Sequence, residues 1–240
     1  MDLNKVFSFQ FEDKQWINKL GIGAVICLVP ILNFALSGYI VGIIRNVMNN
    51  SVEILPNWDD LGKKLSDGLI LFVAGLVYAL PLIIIFLPIG IIAVSSLLSG
   101  NHNLQDMGHI IAGVGTALFY CLLCLIIIYA LALSVVYPAI LVMFAHEGTF
   151  SSCFKFREVF DLVSRNAGPF FTAWIVSFGA GLIVGMIVGF VNIFVAWIPC
   201  FGWIVSIVIS FASSIYIITV YAYLFGQFGL TAFGGNQPVG

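Results

Sequence analysis

Charged side chains are scarce in this sequence, and their scarcity excludes a water-soluble domain. Asp, Glu, Lys and Arg make up 8% of the 240 residues, while 61% are hydrophobic. A soluble domain is about one quarter charged, so this composition cannot cover an ordinary surface facing water. The net charge of −2 also gives no basis for nucleic-acid binding, which depends on basic side chains that neutralise phosphates. We therefore expect the lipid bilayer to surround most of the chain.

Ionisable groups are also missing from the apolar runs. No Asp, Glu, Lys or Arg occurs within residues 69–98 or 110–145, or anywhere after Arg165. Proton relays and ion-coupled transporters hold charge at depth in the membrane, so this pattern argues against both. The intramembrane serines have no histidine at matching depth to act as a base. We therefore predict no catalytic residues and no enzyme.

Ligands for metals and cofactors are few. Cys121 and Cys124 form the only Cys-x-x-Cys pair among five cysteines, whereas a structural zinc site takes four ligands. The sequence therefore predicts no metal site. His109 is a weak candidate for a single axial ligand to a pigment, and a histidine at the wet interface is the simpler interpretation. No cofactor is predicted, although an uncharged interior is compatible with a bound lipid or pigment.

Long apolar runs are abundant and predict an all-α, polytopic transmembrane bundle in a single integral membrane domain. A helix needs about 20 residues to cross a bilayer, and five stretches are long enough: 17–47, 69–98, 110–145, 169–198 and 201–224. Residues 1–16 are predicted as an N-terminal interfacial segment and 229–240 as a polar tail. Proline kinks a helix because it removes a backbone donor. The stretch containing Pro30 is therefore either one kinked span or a re-entrant pair of half-helices.

Two polar connections, residues 57–67 and 151–165, have the helical spacing of amphipathic helices that lie along lipid headgroups. The residues predicted to face this interface are Trp58, Asp59, Asp60, Leu61, Lys63, Lys64, Phe156, Arg157 and Phe160. Basic residues concentrate in these two connections, and cytoplasmic loops carry the excess of Lys and Arg. Both connections are therefore predicted to be cytoplasmic. If the first stretch turns back at Pro30, all nine Lys and Arg lie on that side.

Small residues recur every four positions on three of the predicted spans. They are Ser177, Gly181, Gly185 and Gly189 on the fourth, Ser206, Ser210 and Ser214 on the fifth, and Gly38 and Gly42 on the first. Such ridges let helix backbones approach closely in lipid. The ridges predict either packing between spans four and five of one subunit, or a face for a partner subunit, or a groove for a lipid or pigment tail.

Short motifs along nearly the whole chain carry a resemblance to a known family. The most specific is Leu-Pro-Asn-Trp-Asp-Asp-Leu at residues 55–61, preceded by Phe-x-Phe-Glu-Asp-x-x-Trp at residues 9–16 and followed by Ile-Pro-Cys-Phe-Gly-Trp at residues 198–203. The chain resembles a family of uncharacterised bacterial and archaeal multi-pass membrane proteins, known only as a domain of unknown function. The resemblance implies a helical membrane fold and a prokaryotic cytoplasmic membrane location, and it implies no substrate or catalytic residue.

Three functions are compatible with this sequence. The first is a non-catalytic accessory, assembly or scaffold subunit that docks onto a larger membrane complex, with other membrane protein subunits and the bilayer as partners. The second is a carrier or binder of an apolar molecule such as a lipid, an isoprenoid or a pigment. The third is a membrane enzyme that acts on lipid headgroups at Asp59 and Asp60. The uncharged interior and the small-residue ridges favour the first.

Overall fold

The computed structural model describes residues 5–27, 29, 32–99, 105–198 and 201–234, and these residues are almost entirely helical. The predicted all-α class is confirmed. A 3₁₀ turn at Phe150–Phe154 lies among the α-helices. In chain order these are α1 Phe9–Glu12, α2 Trp16–Cys27, α3 Asn33–Met48, α4 Leu61–Ser99, α5 Gln105–Glu147, α6 Phe156–Arg165, α7 Ala167–Val195 and α8 Gly202–Gly234.

Four of the described helices are long and apolar enough to cross a membrane, which confirms a multi-pass membrane protein. The four candidate spans are Leu61–Ile84 in α4, Tyr120–Glu147 in α5, and the whole of α7 and α8. The predicted count of five is not confirmed. Helices α2 and α3 have 12 and 16 residues, which at 1.5 Å per residue gives about 18 and 24 Å. Both fall short of the ~30 Å hydrocarbon core of a bilayer.

The first apolar stretch forms a helical hairpin rather than one kinked span. The indole of Trp58 contacts both of its arms. Its Nε1 donates a 2.7 Å hydrogen bond to the Lys19 carbonyl on α2, and its ring stacks on Tyr39 of α3 at 4.6 Å. Gly23 on α2 lies against the same ring. Gly23, near the end of α2, and Tyr39, near the start of α3, therefore contact the same ring from either side of the connection between the two helices. The two helices fold back on each other and run antiparallel. Pro30 itself lies outside the described residues.

The chain divides into two compact units, Met1–Phe72 with Pro138–Gly240, and Val73–Tyr137. We call the first the packed unit. In the second, the Tyr129 hydroxyl donates a hydrogen bond to the Tyr78 carbonyl, which joins α4 and α5 as an antiparallel hairpin.

Helix α8 is the axis of the packed unit. Its residues 222–229 are all buried. Gly226 lies against Ile44 and Val47, and Gly229 against Met48, so α3 runs parallel to α8. On another side, Phe170 of α7 packs edge-on against two phenylalanines of α8. Aromatic pairs of this geometry add about 0.5–1.5 kcal/mol to the burial of their surface.

Helices α3 and α4 touch backbone to backbone. A methyl group added at Gly38 would overlap the Lys64 carbonyl, and one added at Gly68 would overlap the Phe34 carbonyl. Glycine is the residue that permits such an approach, because it has no Cβ. The Gly38–Gly42 ridge is thus used within the chain, since Gly42 lies against the ring of Pro56.

The two predicted interfacial helices have different outcomes. Residues 57–60 are not helical, and 61–67 are the first turns of α4, so the prediction of a separate helix at 57–67 is wrong. Gly68 lies inside α4, because a single glycine within a helix costs only about 1 kcal/mol, and here it permits the contact with α3. Residues 151–165 do contain a separate amphipathic helix, α6, which buries Val159 and Leu162.

Candidate functional site: a charged cavity at the start of α4

An ion pair between Arg45 and Asp67 joins three helices at one end of the packed unit. The Arg45 guanidinium contacts the Asp67 carboxylate on α4 and donates a 3.1 Å hydrogen bond from Nε to the Ala145 carbonyl on α5. It also lies 5.7 Å from the centroid of the Phe144 ring, within cation–π range. The two charged side chains are 22% and 12% exposed. The sequence pattern does not predict this pair. A cation at the end of the first apolar stretch is the one signal in the sequence that a charged contact forms there.

A cavity of about 390 Å³ opens beside this ion pair, between the end of α3 and the start of α4. Three basic and four acidic side chains line it: Arg45, Lys63, Lys64, Glu53, Asp59, Asp60 and Asp67. A neighbouring cavity of about 430 Å³ shares Arg45, Lys63 and Asp67 and adds His146 and Glu147. Both signs of charge therefore line one open pocket at the end of a candidate span.

Lys64 differs from the other buried cations of this region. Its side chain is turned inward and the residue is 9% exposed, yet no hydrogen-bond or ion-pair partner lies within reach of its ammonium among the described residues. Asp59, Asp60 and Asp67 act on it electrostatically from the walls of the same cavity, which places the ammonium on the cavity side. The residue is buried but its ammonium opens to the cavity, so this charge is available to an anionic group there.

Lys19, by contrast, is fully paired. Its Nζ donates to the Asp13 carboxylate at 2.7 Å and to the Leu55 carbonyl at 3.0 Å. Burial raises the pKa of the Asp13 carboxyl, but hydrogen bonds from Lys19 and the Gln15 amide, together with the Lys19 charge, outweigh it, so that this pKa lies below its ordinary value. These contacts fasten the N-terminal segment to the connection between α3 and α4.

The predicted interfacial residues separate into two groups. Trp58 is buried against α2 and α3, so its predicted place at the headgroups is wrong: its ring fills the space beside Gly23, and its N–H is satisfied inside the fold. The remaining predicted residues lie at the surface, except Lys64: Asp59, Asp60, Leu61, Lys63, Phe156, Arg157 and Phe160 are exposed.

The ridge on α7 divides partway along the helix. Ser177 is half-buried and Gly181 approaches Ile217 of α8 at 4.0 Å, whereas Gly185 and Gly189 are exposed, and a Cβ added at either would meet no atom within 4 Å. A helix has 3.6 residues per turn, so each step of four residues carries the ridge about 40° further around the helix axis. The ridge therefore rotates away from α8, and its second half forms an open glycine notch, Gly185 with Gly189.

The serine ridge on α8 is used in part. The Ser210 hydroxyl accepts a 3.2 Å hydrogen bond from the Asn192 side-chain amide of α7. Ser206 is half-buried, while Ser214 is exposed and donates to the Ser210 carbonyl of its own helix. This polar contact joins the serine ridge of α8 to Asn192, which is not part of the ridge on α7.

The candidate ligand residues give no assembled site. The side chain of His109 lies outside the described part of the chain, so its predicted role stays a prediction. Cys121 and Cys124 are exposed free thiols. Across residues 5–27, 29, 32–99, 105–198 and 201–234, no three His, Cys, Asp or Glu side chains come close enough together to hold a metal ion.

Comparison with known proteins identifies a family and no characterised relative. Residues 22–193 match the model of a family described as a protein of unknown function, DUF4013. A search of curated proteins and one of solved structures found no match. The matched range runs from α2 nearly to the end of α7, so it contains the charged cavity and the glycine notch.

Proposed function

The chain belongs to the DUF4013 family of proteins of unknown function, and on that premise we propose that it is a non-catalytic docking subunit of a membrane complex. Its packed unit holds the helices together at one end, and its spans receive apolar helices of other integral membrane proteins. The residues proposed to receive a partner are those of the glycine notch on α7.

The exposure of α7 is the observation that carries this proposal. From Gly181 to Val195 no residue is buried against the described parts of the chain, and the stretch contains large exposed side chains such as Met186, Phe190 and Phe194. Lipid tails are as apolar as these side chains, so helices associate in a bilayer through close packing instead of hydrophobic burial. The notch supplies the small residues at which a second backbone can approach.

The proposed occupant is an apolar transmembrane helix of a partner protein. The charged groups at the packed end are largely paired within the chain, as with Arg45 and Asp67 and Lys155 and Glu147. These two ion pairs are therefore satisfied within the chain and offer no free charge to a partner helix. The apolar spans present a larger surface that the described residues leave uncovered. The notch is the part of that surface at which the backbone of a partner helix can come closest.

The same geometry supports a cytoplasmic orientation of the packed unit. With α2 and α3 folded back on each other and four spans after them, the N-terminal segment and the connections at 49–60 and 148–166 fall on one side. All nine Lys and Arg then lie on that side, and the excess of basic residues marks the cytoplasm. We propose the cytoplasmic membrane of a prokaryote as the location.

The test is a photo-cross-link from the notch. The tagged full chain, with a photoreactive residue in place of Met186, is purified in mild detergent after irradiation, and cross-linked peptides are identified. We expect a link to a transmembrane segment of a second integral membrane protein. Adding Gly185→Leu and Gly189→Leu should abolish that link without lowering the melting temperature, because a Cβ at either position meets no atom within 4 Å.

Gly75→Leu is the matched control, since Gly75 of α4 is also open to at least 4 Å; it should keep the link. A cross-link to another copy of this chain would replace the proposed partner with a homodimer. A chain that gives no cross-link, or a double leucine variant that keeps its partner, would overturn docking at the notch.

A further inference from the structure

We propose that the charged cavity at the start of α4 binds a zwitterionic phosphoethanolamine group, with the phosphate on Lys64 and Lys63 and the ammonium on Asp59 and Asp60. This site is separate from the glycine notch and does not depend on the docking proposal. Its basis is one buried unpaired cation that faces acidic side chains across a shared space.

The phosphate position follows from Lys64. This residue is nine-tenths buried, and its ammonium opens to the cavity with no hydrogen-bond partner among the described residues. An anion would supply the missing acceptor, and phosphate oxygens accept charge-assisted hydrogen bonds from ammonium donors. Arg45 is not assigned this role, because its charge is already paired with the Asp67 carboxylate and its Nε donates to the Ala145 carbonyl.

The ammonium position follows from the balance of charge. Three basic and four acidic side chains line the cavity, so an anion alone would meet more carboxylates than cations. Glu53 lies 3.5 Å from Lys19 and Asp67 pairs with Arg45, so Asp59 and Asp60 are the carboxylates of this cavity without an ion pair among the described residues. A ligand with both signs of charge satisfies Lys64 and these carboxylates together.

The position of the cavity matches the position of a headgroup. The charged residues of α4 end at Asp67 and its apolar run begins at Leu69, so the cavity lies where this span leaves the hydrocarbon. The backbone contact between Gly38 and the Lys64 carbonyl fixes the first turn of α4 and holds the lysine in place. A phosphoethanolamine group can come from a phospholipid or from a soluble ester, and the experiment separates the two.

The experiment is native mass spectrometry of the delipidated full chain in mild detergent, titrated with four probes. These are dioleoyl phosphatidylethanolamine, the matching phosphatidylglycerol and phosphatidylcholine, and soluble glycerophosphoethanolamine. We expect the phosphatidylethanolamine to bind most tightly. Lys64→Met keeps the length of the side chain and should weaken this binding about tenfold, which corresponds to about 1.4 kcal/mol.

Two further variants locate the groups. Asp59→Asn with Asp60→Asn should remove the preference for phosphatidylethanolamine over phosphatidylglycerol while keeping binding of both. Lys14→Met removes an exposed lysine that does not line the cavity and should change nothing. If glycerophosphoethanolamine binds as tightly as phosphatidylethanolamine, the soluble ester supplies the phosphoethanolamine group. If its affinity is negligible, the lipid supplies it.

Equal binding of the three phospholipids by the unaltered chain would overturn the proposal. So would a Lys64→Met variant that binds phosphatidylethanolamine as tightly as Lys14→Met does. Thermal unfolding of each variant identifies a loss of folding, and the paired aspartate variant tests the site even if Lys64→Met does not fold, because both aspartates are exposed.

Discussion

The ion pair between Arg45 and Asp67 is the interaction of the packed unit whose removal should have the largest effect on its stability. The two side chains are 22% and 12% exposed, and the guanidinium also binds the Ala145 carbonyl. Replacement of either partner leaves the other charge mostly buried without its countercharge. We therefore expect both single variants to be destabilised more than an ordinary surface variant.

The magnitudes follow from burial. Removing one partner of a buried ion pair costs about 3–5 kcal/mol. Asp67→Asn should fall at the lower end, about 3 kcal/mol, because the amide oxygen still accepts a hydrogen bond. Arg45→Met should cost about 4 kcal/mol, since it also loses the hydrogen bond to Ala145 and the cation–π contact with Phe144. For a chain of this size, 3 kcal/mol lowers the melting temperature by about 6–12 °C.

The assay is unfolding of the full chain in mild detergent, arranged as a double-mutant cycle. Asp67→Leu is added as a further single variant, and Arg45→Met combined with Asp67→Leu should be less destabilised than the sum of Arg45→Met and Asp67→Leu, because an apolar pair carries no desolvated charge. Arg157→Met, which removes an exposed arginine, should stay within about 0.5 kcal/mol of the unaltered chain. Single variants that melt within about 2 °C of it, or a cycle without coupling, would refute the reasoning.

Three other predictions concern the same unit. Gly68→Ala should destabilise by about 1–3 kcal/mol in thermal unfolding, because its methyl overlaps a carbonyl of α3, whereas Gly62→Ala, which is open to at least 4 Å, should stabilise by about 0.5–1 kcal/mol. The folded-state pKa of Asp13 is lowered, so its contribution to stability is fully present above the unfolded pKa of ~3.9 and is lost as the pH falls through the folded pKa. Unfolding measured across this acid range should be flatter for Asp13→Asn. Lys14→Cys and Arg157→Cys, each in a chain without its native cysteines, should react with an impermeant maleimide only after the membrane is opened.

Each of these has a contrary result. Equal melting temperatures for the two glycine variants would mean that α3 and α4 are further apart than the structure has them. An unchanged acid profile in Asp13→Asn would show that the carboxyl titrates alike in the folded and unfolded chains. Labelling of one engineered cysteine in sealed cells and not of the other would separate the N-terminal segment from α6 across the membrane.

The helical membrane fold was predictable because it depends on local composition. Hydropathy over 20 residues identifies α7 to within three residues at each end and the start of α8 to within one, but α8 continues to Gly234, ten residues past the predicted end and into the predicted polar tail. The path of residues 17–47 could not be predicted, because a proline in an apolar run is compatible both with a kinked helix and with a hairpin. The contacts that decide between them come from Trp58 and Leu55, outside the run.

The charged cavity could not be assembled from spacing alone. Arg45 and Asp67 are 22 residues apart, with a non-helical connection between them whose path no periodicity specifies. Trp58 shows the same limit: an aromatic beside acidic residues at a span end is typical of a headgroup contact, yet here it fills a gap between two helices. The sequence predicts one continuous ridge on α7. In the structure the ridge rotates about the helix axis, so Gly181 faces α8 while Gly189 is open.

The packing of α1 against α8 imposes an order on biosynthesis. Gln10 donates a hydrogen bond to Thr219, 209 residues further along the chain, and Phe9 stacks on Tyr223. The N-terminal segment and α3 therefore leave the ribosome long before the helix that covers them has been made. Their apolar surfaces must be shielded during translation by lipid or by a chaperone, and native packing closes only when α8 arrives. A chain that stops before α8 lacks the partners of Phe9 and Gln10 and leaves both side chains uncovered.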